Sequence, residues 1–306
     1  MKKFKFVSYL ASLFMFAAAG CVSEDTAGEG SLTLEVSGGE ALRTGFPYTE
    51  NGITTAFVDG WQVRFTKYII AIGDVVFTEQ EDGNEVEGWP GPVALDLAGS
   101  PGGSETLCTI NGLPAQRLDF GFSLLAPTAK TATTSANADD IALMVQNSWS
   151  FLVAGEAVNQ EKGRTVQFRI GLPIAAEYSK CMNGKDTTLG ISIEANKTIG
   201  AYIYAHAIHL FWDTLASGDE DLRFDAFAAM AGDDGLVTEE DLKNQSLTNL
   251  VDENGAPLRD ESGHVVVYND GGLLPPSEWT LYHFVKYAAR ASVHFNGTGL
   301  CVAKDL

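Results

Sequence analysis

Two histidines and an aspartate stand close enough along the chain to share chemistry. His206 and His209 are three residues apart and Asp213 lies four further on. On a helix the three fall at i, i+3 and i+7 along one face, and imidazole nitrogens with a carboxylate suit zinc or copper. On a strand they diverge. Tyr202, Tyr204 and His206 alternate with Ile199, Ala201 and Ile203, so the strand must end near His206 for the rings to meet. The alternative is two histidines at a strand edge bonded to backbone, with Phe211 and Trp212 as core.

A second candidate is the segment Ala231 to Leu242, which resembles the latter half of an EF-hand. Gly235 takes the place of the turn glycine, with Asp234 before it, Thr238 at the ninth position and Asp241 at the closing one. The first and third positions fall on Met230 and Gly232, which offer no side-chain oxygen. Calcium is therefore the less favoured cofactor, and the competing reading is a helix capped by Thr238 with Glu239 and Glu240 at its positive end. The chain holds no GxSxG elbow, HExxH, Walker loop or GxGxxG after a strand. No catalytic residue is assigned. The reading is a non-enzymatic binding module for a divalent metal, a small ligand or an envelope partner, and the alternative is a metal-dependent enzyme using the same histidines.

Cysteine usage points outside the cytoplasm. Lys2, Lys3 and Lys5 precede an apolar run from Phe6 to Ala19, and Ala18-Ala19-Gly20-Cys21 closes it. This is the pattern of a secretory signal ending in a lipobox, with Ala18 where leucine is usual. Residues 1–20 are expected to be removed and Cys21 to carry acyl chains such as palmitate. Two or three chains give a stable membrane anchor where one does not. Val22, in place of the aspartate that retains enteric lipoproteins at the inner membrane, favours the outer membrane. Residues 21–31 read as anchor and tether, rich in Gly and Glu from Thr26 to Ser31. Cys108, Cys181 and Cys301 remain in the body, an odd number. Cys181 and Cys301 lie in loop-like surroundings and Cys108 in a strand-like run, so Cys181 with Cys301 is the expected disulfide.

The whole chain carries 20 basic and 40 acidic residues. Removing residues 1–20 takes three lysines and no acids, leaving 17 basic residues against 40 acidic ones and a formal charge of −23. Such a surface repels nucleic acid, so the membrane is met through lipid and not through charge.

The elements that must position these residues are mostly strands. Period-two alternation marks Leu32, Leu34, Val36; Trp61, Val63, Phe65; Leu118, Phe120, Phe122, Leu124; and Val166, Phe168, Ile170. Further runs at Ile69–Phe77, Val93–Leu97, Ser150–Val158 and Leu189–Glu194 predict a mainly β chain, a β-sandwich of about eight to ten strands. One helix is predicted from Ala138 to Asn147, capped by Asn137. Helical segments are expected at about 220–245 and 277–292, packed on a single sandwich domain spanning 32–306.

Asp59-Gly60-Trp61 leading into Val63-Arg64-Phe65, the His206 to Asp213 segment, Leu222 to Phe227 before the EF-hand-like loop, and His294-Phe295-Asn296-Gly297 before Cys301 together resemble a group of uncharacterised Gram-negative bacterial lipoproteins. The resemblance spans most of the mature chain. It implies export, a β-sandwich body and a degenerate EF-hand-like segment, and it carries no activity.

Overall fold

The computed structural model describes residues 28–100, 103–216, 218 and 220–306. The expected signal and Cys21 lie outside them. The chain is mainly β, and it has more strands than alternation alone predicts: seventeen among the described residues, in sheets of four, eleven and two.

The four-stranded sheet runs in the order Val293–Phe295, Thr198–Ala205, Glu29–Ser37, Ser104–Pro114, with Glu29–Ser37 parallel to Thr198–Ala205 and the other pairs antiparallel. Its inner face is apolar by alternation. Leu34 lies opposite Ala201 and Val36 opposite Ile203, all buried. Its outer face carries Thr33, Glu35, Tyr202 and Tyr204. The strand starts earlier than expected, since Glu29, Gly30 and Ser31, read from sequence as tether, already pair within it.

The larger sheet is built on one long strand, Gln62–Glu79, flanked by Phe151–Asn159 and Arg117–Leu124. The sequence suggests two strands here, one alternating around Trp61, Val63 and Phe65 and one apolar from Ile69. They are a single strand with bulges, one opposite Ala154–Gly155 and another between Gly73 and Val76. The reason is burial on both faces. Tyr68, Ile70 and Ile72 point into the main core with Phe120 and Phe122, whereas Ile69 and Ala71 meet the helix Ala138–Asn147 through Ile141 and Met144. A strand covered on both sides has no polar face to alternate with. That helix forms where expected, with Asn137 Oδ1 accepting the Asp140 amide at 2.9 Å.

The main core is continuous from Leu32 to Phe295 and joins both large sheets. In the last third the helices are shorter than expected. Asp225–Ala228 and Glu239–Lys243 replace the segment 220–245, because residue 222 bridges back to Trp212 in extended form. Pro276–Glu278 is a 3-10 turn. The final helix, Leu281–Ala291, begins only after Thr280, whose hydroxyl accepts the His283 amide at 3.4 Å.

The disulfide joins Cys181 and Cys301 with a sulfur–sulfur distance of 2.02 Å, and Cys108 is buried and unbridged. The bridge brings the turn after Val293–Phe295 against residues 181–184. Gly299 allows the approach: a Cβ there would stand 1.9 Å from the Met182 carbonyl oxygen.

Candidate functional site

The strand Thr198–Ala205 does end at His206. The His206 amide donates to the Ser292 carbonyl at 2.9 Å, and residues Ala207–Phe211 then form a 3-10 helix with His206 at its cap. With three residues per turn, side chains at i and i+3 eclipse one another. His206 and His209 are consequently face to face, ring centres 5.2 Å apart and planes 18° from parallel, and Trp212 continues the column at 3.7 Å from His209. Tyr204, two residues up the strand, adds its ring at 4.3 Å from His206.

The turn is held from beneath. Phe211 points inward and meets Phe57 at 5.2 Å, Phe227 at 5.5 Å and Phe224 at 5.9 Å between ring centres. Ala207, Leu210 and Phe211 are all buried. Such ring packing adds about 0.5–1.5 kcal/mol per pair beyond area burial, so the backbone carrying both histidines is firmly seated.

Asp213 is not part of the column. Its Oδ2 accepts from Arg223 Nε at 2.8 Å and its Oδ1 from the Asp221 amide at 3.1 Å. The sequence expectation placed it on the histidine face by assuming an α-helix. The helical turn instead ends at Phe211, and Trp212 is extended and bridged to Leu222, which carries Asp213 away to Asp221 and Arg223. His294 comes in its place. It lies on the strand Val293–Phe295, in register with Tyr204, and its ring centre is 4.7 Å from that of His206 and 5.5 Å from that of His209. Sequence reasoning does not join His294 to the pair, and the only signal for it is its place in the resemblance.

The three rings are electrostatically alike. Burial pushes the His206 imidazole down to about 4, the Gly297 carbonyl opposing and His294 assisting. Burial, then the two neighbouring histidines, push His209 down to about 3. His294 is also lowered, by burial, against the pull of the Ala291 carbonyl. All three are neutral at pH 7. His206 Nε2 is 2.9 Å from the Gly297 carbonyl oxygen, and His294 Nε2 is 3.1 Å from that of Ala291. The Nδ1 atoms of His209 and His294 are buried with no hydrogen-bond partner. As the side chains stand, no group of three or more His, Cys, Asp and Glu residues among the described ones is arranged to hold a metal ion. The rings are gathered but stacked.

The EF-hand-like residues are engaged otherwise. Gly235 turns the chain with φ of 69°, and Asp234 Oδ1 accepts the Leu236 amide at 3.1 Å. Leu236–Thr238 pairs in parallel with residues 167–169 of the large sheet. Asp241 Oδ2 accepts both the Thr238 amide, at 2.8 Å, and the Thr238 hydroxyl, at 2.6 Å. Thr238 and Asp241 thus form a helix cap, and Asp234 holds a turn apart from them.

A third cluster was not foreseen. Asp59 is buried, its Oδ2 accepting the amides of Phe224 at 2.7 Å and Asp225 at 2.8 Å while its Oδ1 has no partner. Asp225 in turn accepts from Trp61 Nε1 and from Lys162, each at 2.7 Å on Oδ1. These bonds tie the turn before Gln62–Glu79 to the helix under the site.

No protein-family model, curated protein or solved structure matches this chain. The functional reading therefore stands on the residues themselves.

Proposed function

We propose that this protein is an exported lipoprotein, anchored through Cys21 to the outer membrane, whose β-sandwich is a non-enzymatic binding module for zinc or copper at His206 and His209. One observation carries the metal reading. The 3-10 turn brings two neutral imidazoles together at 5.2 Å and leaves the buried Nδ1 of His209 without a partner. Buried polar atoms are almost always satisfied, and an unpartnered imidazole nitrogen is a lone pair that a transition-metal ion can take. Export is supported by the charged start, the apolar run and the small residues before Cys21. The histidine cluster contains no carboxylate base beside it, which favours binding over metal-assisted hydrolysis.

The test is metal content. The mature chain, purified with its disulfide intact, is dialysed separately against copper, zinc and calcium, and bound metal per chain is measured. The expected result is one equivalent of copper or zinc, lost in the His206→Ala, His209→Ala double variant. An empty wild-type protein, or a double variant with wild-type content, overturns the reading.

A further inference from the structure

We infer that the third ligand is His294, so that His206, His209 and His294 together form a three-imidazole site for one transition-metal ion, copper in preference to zinc, with Asp213 outside it. The inference rests on the metal-binding reading above and specifies its donor set.

The first argument is from tautomers. A backbone carbonyl only accepts, so the ring nitrogen facing it must carry the proton. With Gly297 facing His206 Nε2 and Ala291 facing His294 Nε2, both neutral rings keep Nδ1 as a bare lone pair. Metal-binding histidines usually have this arrangement, in which the outer nitrogen donates to a carbonyl and the inner one is left to the ion. His294 Nδ1 is moreover buried and unpartnered, as is His209 Nδ1. Asp213 has the reverse status, with both oxygens occupied and Arg223 against it.

The second argument is from spacing. Metal–nitrogen bonds of about 2.0–2.1 Å, with the ring centre roughly 1.1 Å beyond, place tetrahedral imidazole centres roughly 5 Å apart. The three centres stand at 4.7, 5.2 and 5.5 Å from one another. The ring centres already stand at that spacing. What must change is ring orientation, chiefly for His209, which lies parallel to His206 and has no hydrogen bond at Nδ1 to give up. Its motion is felt by Trp212, packed on its other face at 3.7 Å.

The third argument selects the ion. Three imidazoles and no carboxylate exclude calcium and magnesium, which take oxygen, and among divalent ions on one nitrogen set copper binds more tightly than zinc.

The experiment uses the full mature chain with its disulfide, titrated with copper and with zinc against a competing chelator, for the wild type and for His294→Gln and Asp213→Asn. Circular dichroism controls for folding. Changes in outer-shell partners alone cost about 10- to 100-fold in metal affinity, so loss of a ligand should cost at least about 100-fold in His294→Gln. Asp213→Asn should bind as the wild type does, since the Asp213 oxygens are held by Arg223 and the Asp221 amide. Electron paramagnetic resonance of the copper-loaded wild type should count three nitrogens, and total tryptophan emission should fall as copper enters beside Trp212. If His294→Gln binds as the wild type does, or the wild type shows two nitrogens and an oxygen, His294 is not the ligand while the metal reading survives. If His294→Gln does not fold, the nitrogen count on the wild type decides. A wild type that takes up neither metal refutes both readings.

Discussion

Replacing Asp59 with asparagine should flatten part of the pH dependence of stability. Asp59 lies under the site with two amides on one oxygen and nothing on the other, and burial, reinforced by the nearby Asp225 carboxylate, outweighs those amides and raises its pKa from 3.8 to about 6. The native state therefore holds this proton more tightly than the unfolded chain does. The sign follows directly: the contribution is fully present below pH 3.8, declines as pH rises, and is lost above about 6. The size is the pKa difference, which corresponds to about 3 kcal/mol. Asparagine keeps the shape and one acceptor oxygen for Phe224 and Asp225 but does not ionise, so it imitates the protonated residue at every pH.

The assay is guanidinium unfolding of the wild type and Asp59→Asn at intervals from pH 4 to pH 8, read as the difference between the two proteins at each pH. Taking the difference removes the general repulsion of an acidic surface, which also weakens the native state as pH rises. The wild type should be about as stable as the variant at pH 4 and less stable by about 3 kcal/mol at pH 8, with most of the change below pH 6.5. Parallel profiles would mean that Asp59 is not desolvated as its surroundings imply. A wild type that gains on the variant with rising pH would mean that the two amides dominate and the carboxylate is stabilised in the fold.

Three further outcomes are open to direct measurement. Cys21→Ala should leave the chain unlipidated, read as loss of labelled palmitate from the purified protein; label retained in the variant contradicts the anchor. Replacing Cys181 and Cys301 together by serine should lower unfolding free energy by about 4–5 kcal/mol, the loop entropy of the 120-residue separation, read from the denaturant midpoint. A Cys108 linkage in the non-reduced peptide map contradicts the pairing. Thr238→Ala should cost about 0.5–2 kcal/mol by removing a helix cap, and added calcium should leave the Tm of either protein unmoved; a calcium-dependent rise that the variant abolishes would restore the EF-hand reading.

Much of the fold was legible wherever a strand has one face in the core and one in water. Leu32, Leu34 and Val36, or Leu118, Phe120 and Phe122, announce themselves by alternation. Legibility failed at both extremes of burial and length. Gln62–Glu79 was divided because residues 68–72 are buried on both sides. Ala132–Thr133 is too short to show any period, and Ile191–Ser192 is the paired part of the longer run expected at Leu189–Glu194. Helix ends were misplaced where a tertiary contact, not propensity, ends the helix, as at Leu222 opposite Trp212.

The candidate site divides along the same line. The spacing of His206 and His209 is local, so it could be read; the kind of turn between them is set by Phe211 packing against Phe57, Phe224 and Phe227, so it could not, and with it went the placement of Asp213. His294 is a matter of register. The strand Val293–Phe295 pairs with Thr198–Ala205 over only three residues, too few to fix a register alone, since an isolated short pairing is marginal in water. The helix Leu281–Ala291 holds its start through the Ser292 carbonyl on the His206 amide, and the Cys181–Cys301 bridge holds the turn beyond it. That turn carries the Gly297 carbonyl facing His206. The link from Cys301, shortly after His294, to Cys181, remote from it in sequence, therefore acts on both the position of one ring and the tautomer of another, a coupling no local motif can display.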